Sequence, residues 1–327
     1  MGGGGGRGEL SRHYEGGAIS SPGFERSTFV PPTQEETTRA VDEVIEAYVS
    51  HLAPPPRQVR LLGELKVAVH SALSREFGIE GVNVVGSVAK DTQIDRAGGN
   101  DIDVLFVLDH ARHGDWLGQE NGPRNCLTKV RDLVASDPRF SQVEVRVDRN
   151  TVTARIGASS IDIIPSFRHP EGGVWIPDTS GGQRWIRTHP RMSKRILEVK
   201  DRVWQGQVTQ VLKIVKKWND RTKAGLTSTH LEALVEGHFD RKPRHGENSQ
   251  RANVHEFFAR LPWYIQERAY EQAYGQRVDT YLTSSARSKA ISKASRMAKR
   301  IENAERIARR TNQQDAAAEA YREVLDG

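Results

Sequence analysis

Three aspartates on predicted strands are the residues of this 327-residue sequence with the clearest capacity for chemistry. Asp101 and Asp103 are separated by one residue, and alternate side chains of a β-strand point to the same face of a sheet. Asp162 lies between two isoleucines of another predicted strand, so it projects opposite its apolar neighbours. Carboxylates that converge in this way repel one another unless cations neutralise them, and Mg²⁺ prefers oxygen ligands. The pattern predicts an Mg²⁺ site, with Mn²⁺ as an alternative, where two ions activate an attacking hydroxyl group and stabilise a leaving pyrophosphate.

A Gly-Ser pair ahead of the aspartates could bind the phosphates of a nucleotide. Gly86 and Ser87 follow a short predicted strand at residues 82–85, and we expect them to open a short helix. Backbone amides and the serine hydroxyl group are donors for a triphosphate, and glycine lets the backbone approach it closely. Taken alone, a Gly-Ser pair is usually an ordinary turn, and a lone Asp-x-Asp or strand aspartate usually faces water. Their order in one basic chain favours a nucleotidyltransferase site.

The elements that must position these residues change character along the chain. Residues 1–32 are rich in glycine and serine and are predicted to be a flexible leader. Two helices should follow, one opened by a Thr33–Glu36 capping box and one over about 58–77. Strand patterns then cover 82–85, 102–108, 143–147, 152–156 and 161–164, with a helix at about 127–134. After residue 190 we expect helices over about 203–218, 229–239, 253–274, 278–310 and 315–325.

This order predicts an α/β (α+β) fold with a mixed sheet and long N-terminal helices. We expect a nucleotidyltransferase core over residues 33–190, a helical C-terminal lobe over 191–327, and a long loop at 166–190 between them. Pro165 should close the last strand of the core.

The overall composition narrows the function classes. A net charge of +6 favours polyanionic partners such as nucleotides, and allows nucleic acid without implying it. No run approaches the roughly 18 apolar residues of a membrane span. The N-terminus lacks the apolar segment of a secretory signal, so we expect a cytoplasmic protein. Cys126 is the only cysteine, which excludes an intramolecular disulfide, and we expect a buried side chain on a helix.

The motifs resemble those of the DNA polymerase β-type nucleotidyltransferase superfamily, and most closely those of the bacterial CD-NTases, relatives of cyclic GMP-AMP synthase and oligoadenylate synthase. The resemblance is carried by Gly86-Ser-Val-Ala-Lys-Asp-Thr-Gln-Ile, Asp101-Ile-Asp103-Val-Leu and Ile161-Asp162-Ile-Ile-Pro165. It continues through residues 176–190, 211–219, 226–232 and 317–327, and covers about residues 33–327.

The resemblance implies roles for individual residues. Asp101, Asp103 and Asp162 would bind Mg²⁺, and Asp162 would also help to deprotonate or orient the attacking ribose hydroxyl group. Contacts to nucleotide phosphates are implied for Gly86, Ser87, Lys213, Lys216 and Ser228. For either lysine alone, a solvated basic helix face is an equally good interpretation. Thr229 stands where some relatives place an aromatic residue that stacks on a base.

The implied function is the synthesis of a cyclic or linear oligonucleotide second messenger from NTPs, ATP or another, in bacterial anti-phage signalling. The product would activate a separate effector. Activation by double-stranded DNA is not implied, because the Cys/His insertion of the animal DNA sensor is lacking. The alternatives are an RNA-extending nucleotidyltransferase of the tRNA or poly(A) type and a non-catalytic nucleotide-binding scaffold. The terminal Gly327 suggests conjugation to a partner, against the alternative of a plain chain end. Base choice, linkage and ring size stay open.

Overall fold

A computed structural model describes residues 33–96, 99–179, 182–243, 248–310 and 314–327. The predicted flexible leader, residues 1–32, lies outside the described residues. The helices, in chain order, are α1 (Gln34–His51), α2 (Pro56–Ser74), α3 (Gly86–Ala89), α4 (His110–His113), α5 (Gly122–Ser136), α6 (Pro190–Val203), α7 (Gln207–Thr222), α8 (Ser228–Arg241), α9 (Gln250–Gln266), α10 (Ser284–Arg310) and α11 (Gln314–Asp326). The strands are β1 (Ile79–Val85), β2 (Asp101–Leu108), β3 (Glu144–Val147), β4 (Val152–Ile156), β5 (Ser159–Arg168), β6 (Val174–Asp178) and β7 (Arg184–Thr188).

The sheet is mixed, as the sequence predicted. Its strand order is β1-β2-β5-β4-β3, in which β2 and β5 are parallel and the other pairs are antiparallel. The chain between β2 and β5 contains α5, which packs on one face of the sheet and buries Cys126, as predicted. Apart from the aspartates, strands β2 and β5 place buried apolar side chains on both faces of the sheet. This arrangement places the aspartate-bearing strands side by side in the middle of the sheet.

The segment between the sheet and the helices differs from the prediction. Strand β5 does not end at Pro165 but continues to Arg168, and residues 166–190 are not a long loop. They contain the antiparallel β6–β7 hairpin, which joins the end of β5 through Phe167 and Trp175. Proline is tolerated within β5 because the pairing with β4 ends at Ile163, so one edge of β5 is free of β4 at that position.

Five helices were predicted after residue 190, and the described residues there form six, with bounds that differ from the prediction. Helix α6 was not predicted. The helix predicted at 203–218 begins at Gln207 as α7, because Gly206 has φ +87 and separates it from α6. Helix α9 ends at Gln266, earlier than predicted, and residues 269–278 form a loop closed by a bridge between Tyr270 and Arg277. None of the described helices combines the length and the apolar character needed to cross a membrane.

Two large apolar clusters divide the core. One lies between the sheet, α2 and α5. The other joins the helices after residue 190 with α1, whose Val41 and Ile45 are fully buried there. Helix α1 begins with the predicted capping box, in which Thr33 and Glu36 exchange hydrogen bonds. The boundary between lobes at residue 190 stays a prediction, but α1 packs with the helices on the far side of it.

Candidate active site

The parallel pairing of β2 with β5 brings the three aspartates together. In the register of the two strands Asp103 lies opposite Asp162, and Asp101 lies opposite Ser160. The Ser160 hydroxyl group donates to Asp101 over 2.5 Å, and the Thr153 hydroxyl group, on β4, donates to Asp162 over 2.6 Å. These hydroxyl groups orient the two outer carboxylates, because each holds one oxygen of its aspartate.

Burial and the neighbouring negative charges raise the pKa values of two of the carboxylates, Asp103 and Asp162. Burial, followed by the charges of Asp162 and Asp101, raises the pKa of Asp103 to about 6. The pKa of Asp162 is raised as well, first by burial, while its hydrogen bond with Thr153 acts in the opposite direction. Among the described residues none forms a hydrogen bond with the Asp103 carboxylate. The site therefore carries more negative charge than its protein surroundings neutralise.

Gly86 stands directly against this carboxylate cluster. Its φ of +63 lies in the left-handed region, and a Cβ atom at this position would lie 2.0 Å from Asp103 Oδ2. Both facts require glycine, because a side chain would be strained and would displace the carboxylate. Ser87 follows in α3, and its carbonyl oxygen accepts from the amide of Thr92. The Gly86-Ser87 turn therefore leaves room for the Asp103 carboxylate, in addition to its predicted role in binding phosphates.

A cavity of about 450 Å³ opens in front of the strands. Of the residues predicted to act there, the cavity is lined by Gly86, Ser87, Asp101, Asp103, Asp162, Lys216 and Ser228. Its volume is within the usual range of small-molecule sites. The sheet supplies its acidic side, and the helices after residue 190 supply the opposite side.

The two candidate lysines of α7 have different surroundings. The Lys216 side chain lines the cavity, is only 2% exposed, and donates to the carbonyl and hydroxyl oxygens of Thr92. Burial lowers the pKa of Lys216 to about 8. Lys213 is not among the lining residues, and its Nζ lies 3.6 Å from Asp91. Lys216 is thus the lysine that the structure brings to the aspartates.

Helix α8 begins at the cavity with Ser228. Thr227 caps this helix through its hydroxyl group, and Arg96 Nη2 lies 3.5 Å from the Ser228 hydroxyl oxygen. Arg96 also lines the cavity and acts electrostatically on Asp103, whose pKa it lowers. A phosphate in this region would meet a guanidinium group and a hydroxyl group.

Several lining residues were missed from the sequence. They are Lys90, Arg96, Arg187, Glu232, Glu236 and Tyr274. Lys90 pairs with Glu232 and donates to Ser193 over 2.7 Å, so it connects α3 to α6 and α8. Its position at the end of the Gly-Ser helix was a signal that could have been used. The other five residues line the cavity only because their helix, loop or hairpin faces it, and no local sequence pattern predicts which elements face a cavity.

The donor set fits a divalent cation of the magnesium type. Asp101, Asp103 and Asp162 offer only oxygen atoms, and their unneutralised charge favours a cation. Across the described ranges no three acidic, histidine or cysteine side chains are close enough to enclose a metal ion by themselves. Water and nucleotide phosphate oxygens would therefore have to complete the coordination, as is usual for Mg²⁺.

The sequence matches one family model. Residues 24–200, more than half of the chain, match the Second Messenger Oligonucleotide or Dinucleotide Synthetase (SMODS) domain. The chain belongs to the SMODS family. The match confirms the resemblance to bacterial CD-NTases and, with it, the classification of this SMODS chain as a nucleotidyltransferase.

Individual relatives are distant in sequence. The SMODS chain is 23% identical over 136 residues to a probable cyclic nucleotide synthase of Bacillus cereus (strain VD146), and this match spans 38% of the chain and 40% of the relative. Among solved structures it is similar to CdnC of E. coli MS115-1 with ATP, at a TM-score of 0.63 and 15% identity over 88% of the chain and 98% of CdnC. It is also similar to DncV of Vibrio cholerae, a cyclic AMP-GMP synthase, at a TM-score of 0.60 and 13% identity over 89% and 86% of the two chains. These likenesses confirm the predicted fold.

Proposed function

We propose that this SMODS chain is an Mg²⁺-dependent nucleotidyltransferase that joins NTPs into a cyclic or linear oligonucleotide second messenger and releases pyrophosphate. The observation that carries the proposal is the register of β2 and β5, which places Asp103 opposite Asp162 on one wall of a nucleotide-sized cavity. The description of the SMODS family supports the same reaction class, as does the similarity to a probable cyclic nucleotide synthase and to a cyclic AMP-GMP synthase.

The aspartates of the site have different roles in the proposed reaction. Bound Mg²⁺ would supply positive charge to the triphosphate and to the attacking oxygen, with Asp101, Asp103 and Asp162 as its ligands. Asp162, which Thr153 holds in position, also accepts or orients the proton of the attacking ribose hydroxyl group.

The phosphates are bound from both the sheet side and the helical side of the cavity. Ser87 and the backbone of the Gly86 turn donate from the sheet side, while Lys216 and Ser228 contribute from α7 and α8. Arg96, which lies beside Ser228, adds a guanidinium group suited to phosphate oxygens. Lys213 would contact a phosphate, as predicted, only if the bound nucleotide extends beyond the residues that line the cavity.

ATP is the first substrate to test, because CdnC is a neighbour solved with ATP. We extend the proposal to bacterial anti-phage signalling in the cytoplasm, where the product activates a separate effector. Attachment of a partner through Gly327 stays a prediction. The glycine is exposed directly after α11, and its amide donates to the Glu323 carbonyl oxygen. A Gly327→Glu chain that still formed the conjugate would rule it out.

The experiment is an incubation with labelled NTPs, singly and in all combinations, with Mg²⁺ and without RNA. The proposal expects phosphatase-resistant oligonucleotides, identified by mass spectrometry, that are absent with EDTA and from an Asp103→Asn chain. Products that form only when an RNA primer is added would instead support the RNA-extending alternative. No incorporation under any condition, with nucleotide binding intact, would favour the non-catalytic scaffold.

A further inference from the structure

Glu236 is a buried acid of the cavity that the catalytic reaction does not use. Its side chain lies on α8, is 4% exposed, and belongs to the cavity lining. Carboxylates are seldom buried without a partner, because loss of hydration disfavours their charge. Yet within the described part of the chain no residue forms a hydrogen bond or an ion pair with the Glu236 carboxylate.

The cations nearest to Glu236 are already paired with other acids. Lys90 forms its ion pair with Glu232, one helical turn before Glu236. Lys200, on α6, lies 2.8 Å from Asp240, one turn after Glu236, and reaches only the backbone carbonyl oxygen of Glu236. Three acids thus share two lysines, and the acid left without an ion pair, Glu236, is one of the two that line the cavity.

The position of Glu236 along α8 relates it to the phosphate-binding end. Ser228, Glu232 and Glu236 follow one another at intervals of four residues, and all three line the cavity. Glu236 is eight residues beyond Ser228, which corresponds to about 12 Å along the helix axis. A nucleotide whose phosphates contact Ser228 and which extends along α8 therefore brings its base towards Glu236.

The chemistry of a carboxylate selects among the bases. It offers two adjacent acceptor oxygens and, when ionised, no donor. Guanine alone among the four common bases presents two adjacent N–H donors, N1–H and N2–H, on its Watson–Crick edge. In adenine and cytosine the amino group stands beside an acceptor nitrogen, and in uracil the single N–H stands between two carbonyl oxygens.

We propose that Glu236 reads the Watson–Crick edge of a guanine base and makes a guanosine nucleotide one of the substrates. This inference rests on the proposed function, and it specifies the base for a site that is otherwise described only by its phosphate contacts. Discrimination is expected to be large, because a buried polar group left unpaired by the wrong base is costly. Burial, followed by the charge of Glu232, raises the pKa of Glu236 to about 7, which agrees with a carboxylate that lacks a protein partner.

The test compares the wild-type chain with a Glu236→Gln chain, which keeps the shape of the side chain but replaces one acceptor oxygen with a donor. Binding of α,β-methylene analogues of GTP and ATP, which cannot release pyrophosphate, is measured calorimetrically with Mg²⁺. The matched control is Glu198→Gln, on the exposed side of α6, where the side chain is 54% exposed. Thermal unfolding of each chain verifies folding, and product composition is measured in parallel from an NTP mixture.

The wild-type and Glu198→Gln chains are expected to bind the GTP analogue at least about tenfold more tightly than the ATP analogue. The Glu236→Gln chain is expected to lose this preference, while its affinity for the ATP analogue stays within about threefold of the wild-type value. The proposal is overturned if the wild type shows no guanine preference, or if Glu236→Gln weakens both analogues equally. Because binding is measured without turnover, a wild-type chain that binds the GTP analogue selectively but makes no oligonucleotide would refute the proposed function and leave the role of Glu236 standing.

Discussion

Replacing Asp103 by asparagine should abolish synthesis and, without metal, make the fold more stable. The carboxylate is held next to Asp162 and against Gly86, and burial and neighbouring charge raise its pKa from 3.8 to about 6. A raised acid pKa means that the folded state binds the proton more tightly than the unfolded state does. Stability therefore falls as the pH rises through the window from about 4 to 6, and the full cost is present above it.

The size of the effect follows from the shift of about two pKa units. Each unit corresponds to about 1.4 kcal/mol, so the ionised carboxylate costs the metal-free fold about 3 kcal/mol at pH 7. At pH 5 most of the folded population is protonated at this carboxyl group, and the cost falls to about half of that value. The asparagine side chain carries no charge at either pH, so the substitution should return these amounts as added stability.

The assay is urea unfolding in EDTA at pH 7 and pH 5, with Asp132→Asn as control because that aspartate is 57% exposed on α5. The control should change stability by less than about 0.5 kcal/mol at either pH. Millimolar Mg²⁺ should then stabilise the wild type and not Asp103→Asn, since a ligand stabilises only a fold that binds it. The reasoning would be refuted by an Asp103→Asn chain that is no more stable than the wild type at pH 7, or equally stabilised at both pH values.

Three further substitutions test the surroundings of the site and the helical core. Gly86→Ala should cost about 1–2 kcal/mol of stability, measured by urea unfolding, and abolish synthesis, because the backbone is left-handed and the added Cβ would displace a catalytic carboxylate. Lys216→Met should reduce kcat/KM for NTPs about 10- to 100-fold, and Lys213→Met should reduce it less than about threefold, because only the Lys216 side chain lines the cavity. A larger loss for Lys213→Met than for Lys216→Met would contradict this assignment. Arg251→Met should lower the free energy of unfolding by about 3–5 kcal/mol at pH 7, because the substitution leaves the buried Glu305 carboxylate without its bidentate partner. The affinity for nucleotides should stay normal. A decrease in stability below about 1 kcal/mol would contradict this prediction.

The part of the site that could be predicted from the sequence is the part that depends on local periodicity. Asp101 and Asp103 point the same way because a strand repeats every two residues, and this holds whatever the strand pairs with. That Asp162 joins them depends on the parallel pairing of β2 with β5, which the sequence suggested only through order and resemblance. The helical capping box at Thr33 was predictable for the same local reason.

The β6–β7 hairpin was missed although its sequence carries a signal. Residues 174–178 and 184–188 each contain a Trp-Ile pair, and two glycines lie in the segment between them. The segment was predicted to be a loop because Pro165 indicated the end of a strand. Proline is acceptable at position 165 because β4 no longer pairs with β5 there, and this depends on the assembled sheet and cannot be read from the local sequence.

Selection between Lys213 and Lys216 shows where periodicity stops being informative. The two residues are three positions apart on α7, so the same face of the helix could present both. Lys216 lies among the apolar residues that α7 buries, and its amino group reaches Thr92 because the long side chain extends past them. A polar residue on a buried helix face is recognisable as functional only after the partner surface is known. The same reason explains why the sequence analysis predicts no role for Glu236.

The cavity joins two kinds of charge that no single element carries. The sheet presents three carboxylates, and burial, followed by the neighbouring negative charges, raises the pKa values of Asp103 and Asp162. The helical side presents Lys216, and Arg96 from the loop before β2 lies beside Ser228 on that side. A nucleotide with a divalent cation satisfies both sides at once, because the cation neutralises the carboxylates and the phosphates neutralise the basic groups. Each partner alone should then bind more weakly than the pair, so Mg²⁺ and NTP are expected to raise one another's affinity by the same factor.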